Sequence, residues 1–326
     1  MDPSVPHSLP DLEAIRGAAT RLRGLIHRTP LLSSRSLGEI HGVEVYLKPE
    51  NLQRAGAFKI RGALNALLLA KERGALGPSG VLTYSSGNHG QAVALAAKLL
   101  GVAALVVVPE DVTRVKRSAI EGYGASVVPC GTTSEDRHQG ALRLAKETGA
   151  HIIPPYDHPD IIAGQGTIAL EVLEDLPDVE AVILPVGGGG LIAGVSLGLK
   201  ALRPGVQVIG AEPTTANDTA LSLAAGVRVQ GLPSRTIADG LRALAPGELT
   251  FEAIRRHVDR VLCVDDDEIR HAQRFLLERA KLLTEPSGAI TTAVYQRFGS
   301  ELRARKIVLV LSGGNTDLPP LESGPQ

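Results

Sequence analysis

The sequence predicts an α/β fold with buried parallel strands, and three observations carry that expectation. Short runs rich in valine and isoleucine alternate with longer stretches of helical periodicity, the order that makes a parallel sheet covered by helices. Glycine or polar turn residues stand at the junctions from strand to helix. The 326-residue chain is long against the roughly 100 to 200 residues of a usual domain, so two closely packed domains are expected.

In chain order the expected strands cover 43–47, 81–84, 104–108, 126–128, 181–186, 206–211 and 307–311. These are apolar runs rich in valine and isoleucine, and they read as buried parallel strands. Helices are expected over 91–100 and 191–202, each entered through glycine or polar residues. Asp265 and Glu268 form a capping box ahead of Ile269, Ala272, Phe275, Leu276, Ala280 and Leu283, which fall on one helical face and mark a structural helix. No period of 20 to 50 residues recurs, which argues against a solenoid. The segments 1–10 and 319–326 are expected to be weakly structured.

Composition narrows the function. Hydrophobic residues make up 44% and charged residues 21%, too apolar for a disordered chain. Lysine and arginine number 34 against 35 aspartates and glutamates, so no overall field favours nucleic acid or an anionic membrane, and a small-molecule substrate fits better. The first ten residues lack the pattern of a signal peptide and no apolar run could span a bilayer, which makes the cytoplasm the expected compartment. Cys130 and Cys263 stand far apart and outside any CxxC pattern, so both are expected to be plain core residues.

Chemistry could reside in four places. Gly187, Gly188, Gly189 and Gly190 follow an expected strand and open an expected helix, where bare backbone amides would face an anion. Four glycines in a row are costly to order unless close backbone approach is needed, so they suggest phosphate. Gly188, Gly190 and Ala193 also satisfy GxGxxA, and Glu212 stands 24 positions after Gly188, so a nicotinamide-dependent oxidoreductase remains a rival.

The second place is Ser85-Ser86-Gly87-Asn88-His89-Gly90, between a strand and a helix, which suits a carboxylate or is simply a polar turn with a cap. The third is Lys59 within AGAFKIRGALN. A lone lysine is usually a solvated charge, but a buried one becomes a neutral amine able to condense with an aldehyde. Ser312, directly after the last strand in SGGN, is the fourth, with a glycine-rich turn as the plain alternative. HExxH, GxxxxGK[ST] and GxSxG are all missing from the sequence, which removes zinc proteases, P-loop NTPases and α/β hydrolases.

Taken in order, AGAFKIRGALN, SSGNHGQA, AGQGTIALEV, PVGGGGLIAG, AEPTTAND, TIADGL, LLTEPSGA and SGGN resemble the serine/threonine dehydratase and serine racemase family of fold-type II enzymes dependent on pyridoxal 5'-phosphate (PLP). Each motif is weak alone, but eight in the same order from about residue 29 to 318 are very unusual by chance. The resemblance implies a tryptophan synthase β-like architecture: two open, twisted, mostly parallel sheets in a large and a small domain with the active site between them. It implies a large domain of residues 1–70 and 158–326 enclosing a small α/β domain over 78–157.

The family's pattern also implies roles. Lys59 would carry the cofactor as a Schiff base, with Phe58 flanking the ring and Asn88 contacting the ring hydroxyl. Gly187 to Gly190 would hold the phosphate, and Ser312 would hydrogen-bond the pyridine nitrogen. A neutral hydroxyl cannot keep that nitrogen protonated as a carboxylate would, which makes a milder electron sink suited to β-elimination. The substrate carboxylate would meet Ser85, Ser86, Asn88 and His89, with Arg137 nearby. Ser86 matches the residue that faces the α-carbon opposite the lysine in serine racemases. Glu212, the Ala216 carbonyl and Asp218 match a site for Mg²⁺ or Ca²⁺, or form a capped loop. Two departures stand out: Ala57 replaces a serine found in many relatives, and the sequence ends shortly after SGGN, so no regulatory extension is expected.

The implied activity is dehydration and deamination of L-serine or L-threonine to a 2-oxo acid and ammonia by a homodimer. Alternatives within the family are a serine racemase or a threo-3-hydroxyaspartate dehydratase. From other classes come the nicotinamide oxidoreductase and a non-catalytic PLP-binding protein.

Overall fold

A computed structural model describes residues 8–317; the tail expectations for 1–7 and 319–326 lie outside the described residues, and so does residue 318, the last of the motif match. Strand and helix alternate through most of the chain, the exceptions being Asp218–Ala225 to Glu248–His257 and Asp266–Phe275 to Pro286–Phe298, where helix follows helix without a strand between. The chain runs α1 (Leu12–Leu22), β1 (Leu32–Ser33), α2 (Arg35–His41), β2 (Glu44–Pro49), α3 (Lys59–Glu72), β3 (Val81–Thr83), α4 (Asn88–Leu100) and β4 (Ala104–Val108). It continues through α5 (Arg114–Gly122), β5 (Ser126–Pro129), α6 (Ser134–Thr148), β6 (His151–Ile152), α7 (Pro159–Asp175), β7 (Ala181–Pro185), α8 (Gly190–Leu202) and β8 (Gln207–Pro213). The remainder is α9 (Asp218–Ala225), α10 (Glu248–His257), β9 (Arg260–Val264), α11 (Asp266–Phe275), α12 (Pro286–Phe298) and β10 (Lys306–Leu311).

These strands form two sheets. One is six-stranded in the order β1-β2-β10-β7-β8-β9, parallel except for the β1–β2 pair, and the other is four-stranded and wholly parallel in the order β5-β4-β3-β6. Every residue of β7 is buried, as the continuous apolar run predicts for a strand covered on both faces. Helices α7 and α8 approach closely: a Cβ on Gly194 would lie 2.2 Å from the Ile162 carbonyl oxygen, so only glycine fits there.

Several expectations need correction. Strand β5 is exposed at both ends and half-buried at Val127 and Val128, and it lies at a sheet edge, so the reading of 126–128 as buried fails. Strands β1, β6 and β9 were not expected: the first two are two residues long, and β9 sits among charges that hide its apolar core. Asp265 does cap α11 in a capping box with Glu268, and Ile269, Ala272 and Leu276 are buried. The helical face ends early, because a π-helical turn, Leu276–Ala280, leads to Lys281 at φ 58° and leaves Leu283 exposed. Both cysteines are only half-buried, correcting their reading as core residues. Among the described residues no helix is long and apolar enough to cross a membrane.

Beneath the N-terminal turn of α3 lies a buried ionic cluster. Arg61 reaches Glu50 at 2.8 Å and Glu171 at 2.6 Å, Lys48 reaches Glu171 at 2.6 Å, and Thr29 donates to Glu50 at 2.6 Å. Burial alone would raise the Glu50 carboxyl, but the Arg61 charge and the hydrogen bonds of Arg61 and Thr29 together hold it below its ordinary value. The cluster ties β2 and its following turn to α3 and α7, and so fixes where α3 begins.

Candidate active site

Three strands deliver their carboxyl ends to one cleft, the place where parallel sheets bind ligands. Strand β3 leads into Ser85 and α4, β7 into the glycines and α8, and β10 into Ser312. A cavity of about 1300 Å³ opens there.

Lys59 is the first residue of α3. The turn before it is pinned to the end of β10, because the Phe58 N–H donates to the Ser312 carbonyl at 3.0 Å and the Gly314 N–H to the Gly56 carbonyl at 2.9 Å. The half-buried Lys59 borders the cavity, and its amine donates to the Pro155 carbonyl at 2.8 Å and lies 5.1 Å from the Phe58 ring centre. Burial lowers its pKa to about 8, against a smaller raising effect from Glu285. The bland reading of Lys59 as a solvated surface charge therefore fails.

The glycine loop bounds the same cavity. A Cβ on Gly188 would lie 2.4 Å from the Tyr156 ring, and Gly189 sits at φ +91° with Thr250 2.9 Å from where its Cβ would be. The loop is thus a cradle whose wall is backbone, and the first N–H groups of α8 at its end have no helical partner. A phosphate fits such a wall, an aldehyde fits a buried amine of lowered pKa, and the cavity joins the two.

Ser85, Ser86, Asn88 and His89 line the cavity from the α4 side, and Arg137 lines it from α6 with a half-buried guanidinium. The Asn88 carboxamide is held at both ends: its Nδ2 donates to Glu285 Oε1 at 2.7 Å, and its Oδ1 accepts from Asn315 Nδ2 at 2.8 Å. His89 is buried, and burial, then the Lys59 charge, lowers its pKa to about 3. A neutral ring must therefore donate from Nε2 to the Ile153 carbonyl, 3.1 Å away. Ser312 is buried, and its hydroxyl lies 3.4 Å from the Ser287 carbonyl.

Glu285, Pro155, Tyr156 and Thr250 were missed by sequence reading. Glu285 stands in the quoted LLTEPSGA motif without an assigned role, and its carboxyl is pushed up to about 8 by burial and then by Asp239. No signal marks the Pro155 carbonyl, since any residue has one.

Glu212, Ala216 and Asp218 lie outside the cavity wall. Glu212 accepts the Thr219 and Ala220 N–H groups at 3.0 and 2.9 Å, which caps α9, and burial pushes its carboxyl up to about 8. Neither oxygen of the buried Asp218 has a hydrogen-bond donor, and its carboxyl is pushed up to about 6 by burial. Among the described residues no group of three or more histidine, cysteine, aspartate or glutamate side chains is arranged to hold a metal. Glu212 thus caps the loop that enters α9, and it is not among the residues that line the cavity with the glycines.

Comparison with known proteins agrees with this geometry. The family described as "Pyridoxal-phosphate dependent enzyme" matches residues 22–313. The L-threo-3-hydroxyaspartate ammonia-lyase of Saccharomyces cerevisiae is 43% identical over 95% of this chain and 94% of its own. The L-threonine ammonia-lyase of Thermotoga maritima is 44% identical over 94% of this chain and 76% of its own. The solved structure of maize serine racemase superposes with a TM-score of 0.90 at 42% identity, covering 95% of this chain and 94% of its own.

Proposed function

This chain belongs to the family of pyridoxal-phosphate dependent enzymes, and from that premise we propose that it is a lyase that converts L-serine or L-threonine to a 2-oxo acid and ammonia. The observation that carries the reading is the meeting of a buried amine of lowered pKa, a glycine cradle and a buried serine hydroxyl in one cavity. Bound pyridoxal phosphate supplies the electron sink for the pair left behind when a proton leaves the α-carbon.

Each residue has a task in that scheme. Lys59 would anchor the cofactor, and its free amine would take the α-proton; a pKa of about 8 leaves an appreciable neutral fraction near neutral pH. The backbone amides from Gly187 to Gly190 hold the phosphate without lending it a side-chain proton. Ser312 offers the pyridine nitrogen a neutral hydroxyl, and Asn88, held by Glu285 and Asn315, presents an oriented amide to the ring. Ser85, Ser86 and the α4 N-terminus receive the substrate carboxylate, and the neutral His89 ring adds no charge there.

Two narrower readings have support of their own. Ser86, which lines the same cavity as Lys59, favours racemisation as a side activity, and Arg137 gives a second carboxylate a partner, as threo-3-hydroxyaspartate would need. The donor-free oxygens of Asp218 beside Glu212, with the Ala216 carbonyl, support a site for Mg²⁺ or Ca²⁺ apart from the cavity. We also read 78–157 as a small domain inserted in a large one, supported by the four-stranded sheet lying wholly within 81–152.

The test is to record the visible spectrum of the purified protein and to assay 2-oxo acid release from L-serine, L-threonine and threo-3-hydroxyaspartate. A yellow protein that releases 2-oxo acid from serine or threonine supports the reading. A colourless protein, or one that turns over none of the three, sinks it.

A further inference from the structure

The glycine loop cannot hold its own shape, because four residues without side chains have nothing to lock their peptide planes. The start of α10 does this from outside. The Gly188 carbonyl accepts from Thr250 Oγ1 at 2.7 Å and from the Gly247 N–H at 3.3 Å. Those donors are themselves fixed: Asp157 Oδ1 accepts the Thr250 N–H at 3.1 Å and Oδ2 the Glu248 N–H at 2.8 Å, so Asp157 caps α10 from the segment that also supplies Pro155 and Tyr156. Thr250 is fully buried, so no water stands ready to replace its hydroxyl.

A trans peptide is planar, with its C=O and N–H pointing opposite ways, and no cis bond occurs among the described residues. Drawing the Gly188 carbonyl onto Thr250 therefore turns the Gly189 N–H away from Thr250, in a loop whose glycines line the cavity while Thr250 does not. We propose that Thr250 is a positioning residue whose hydroxyl holds the 188–189 peptide with its N–H aimed at the cofactor phosphate. The proposal rests on the cofactor reading above and adds to it a residue that never touches the cofactor.

The discriminating experiment compares two probes, pyridoxal phosphate and phosphate-free pyridoxal, by equilibrium titration of the absorbance of their Lys59 adducts. The proteins are the full chain, Thr250→Val and Thr250→Ser. Valine keeps the branched shape and removes the hydroxyl, and one lost orienting hydrogen bond should weaken pyridoxal phosphate roughly tenfold. Pyridoxal, with no phosphate to be held, should bind the valine variant as it binds the parent. Serine restores the hydroxyl and should bring the phosphorylated probe back to within about twofold of the parent. Unchanged affinity for pyridoxal phosphate in Thr250→Val, or an equal loss for both probes, overturns the proposal, the latter because it marks a structural defect. If the parent itself forms no adduct, the cofactor reading falls and this proposal falls with it.

Discussion

Two cationic side chains stand two residues apart at the start of α3, Lys59 and Arg61, and their surroundings are opposite. Arg61 is fully enclosed, but carboxylates from Glu50 and Glu171 meet it at 2.8 and 2.6 Å, and together they raise its pKa above the ordinary value against the burial that would lower it. Lys59 is half-buried, and its amine donates to a neutral carbonyl and not to a carboxylate, so loss of solvation wins and its pKa falls to about 8. Compensation makes the first a fixed structural charge. Its lack makes the second an amine that can lose a proton and bond to carbon. One helical turn thus holds both a fastener and a reactive group, and the fastener sets the position of the other.

The sharpest way to break the comparison is to remove the reactive member. Lys59→Ala should cut turnover by about a thousandfold or more, since anchoring and base both go. It should leave the melting temperature equal to or above that of the cofactor-free parent, because an uncompensated buried cation disappears with the amine. Steady-state rates and thermal denaturation of the apo proteins read the two effects separately. A large loss of stability would mean that Lys59 is structural like its neighbour.

Arg61→Met should do the reverse. It leaves the buried Glu50 without an ion pair, while Glu171 keeps Lys48, and breaking a buried pair costs about 3–5 kcal/mol. Urea denaturation should show that loss, and adding Glu50→Gln to the variant should recover part of it. Loss of activity without loss of stability would place Arg61 in the chemistry and undo the contrast.

A third test uses pH. The folded Lys59 pKa lies below the ordinary value of 10.5, so between about 8 and 10.5 the unfolded chain binds more protons than the folded one. Stability of the apo protein should therefore rise with pH across that window, by up to about 3 kcal/mol for a shift of this size. Other groups titrate there too, so the observable is the difference between the parent and Lys59→Met, which should carry that rise and lose it below the window.

The same contrast explains what could be read beforehand. The glycine cradle, the SSGNHG turn and Ser312 were legible because each is a contiguous segment at the end of an apolar strand, and strand ends in a parallel sheet meet in one cleft. Lys59 was legible as chemistry only through the motif pattern, since its depth depends on Pro155, a carbonyl with no sequence signal. The Arg61 cluster was not legible: its partners lie 11 and 110 positions away, and nothing in Glu50 or Glu171 alone distinguishes them from surface acids. The alternation of helix and strand emerged from hydrophobic periodicity, whereas β9 was hidden by flanking charges, and the positive φ at Lys281 ended a helical face that the pattern continued to Leu283.

Glu285 lies between the two extremes, and replacing it has the smallest expected effect. Its carboxyl accepts from Asn88 and is buried enough that its pKa rises to about 8, so near neutral pH it is largely protonated and only mildly offsets the loss of solvation at Lys59. Glu285→Gln keeps an oxygen for Asn88 and abolishes the charge. Below pH 8 the variant should bind the cofactor like the parent. Above pH 8, where the parent's Glu285 ionises and raises the Lys59 pKa, the variant's amine should stay more readily deprotonated. The pH profile for adduct formation at Lys59 should then move to lower pH, by far less than burial itself moves it. A shift to higher pH would show that Glu285 does not act on Lys59 through its charge, and that burial alone sets the reactivity which Arg61 lacks.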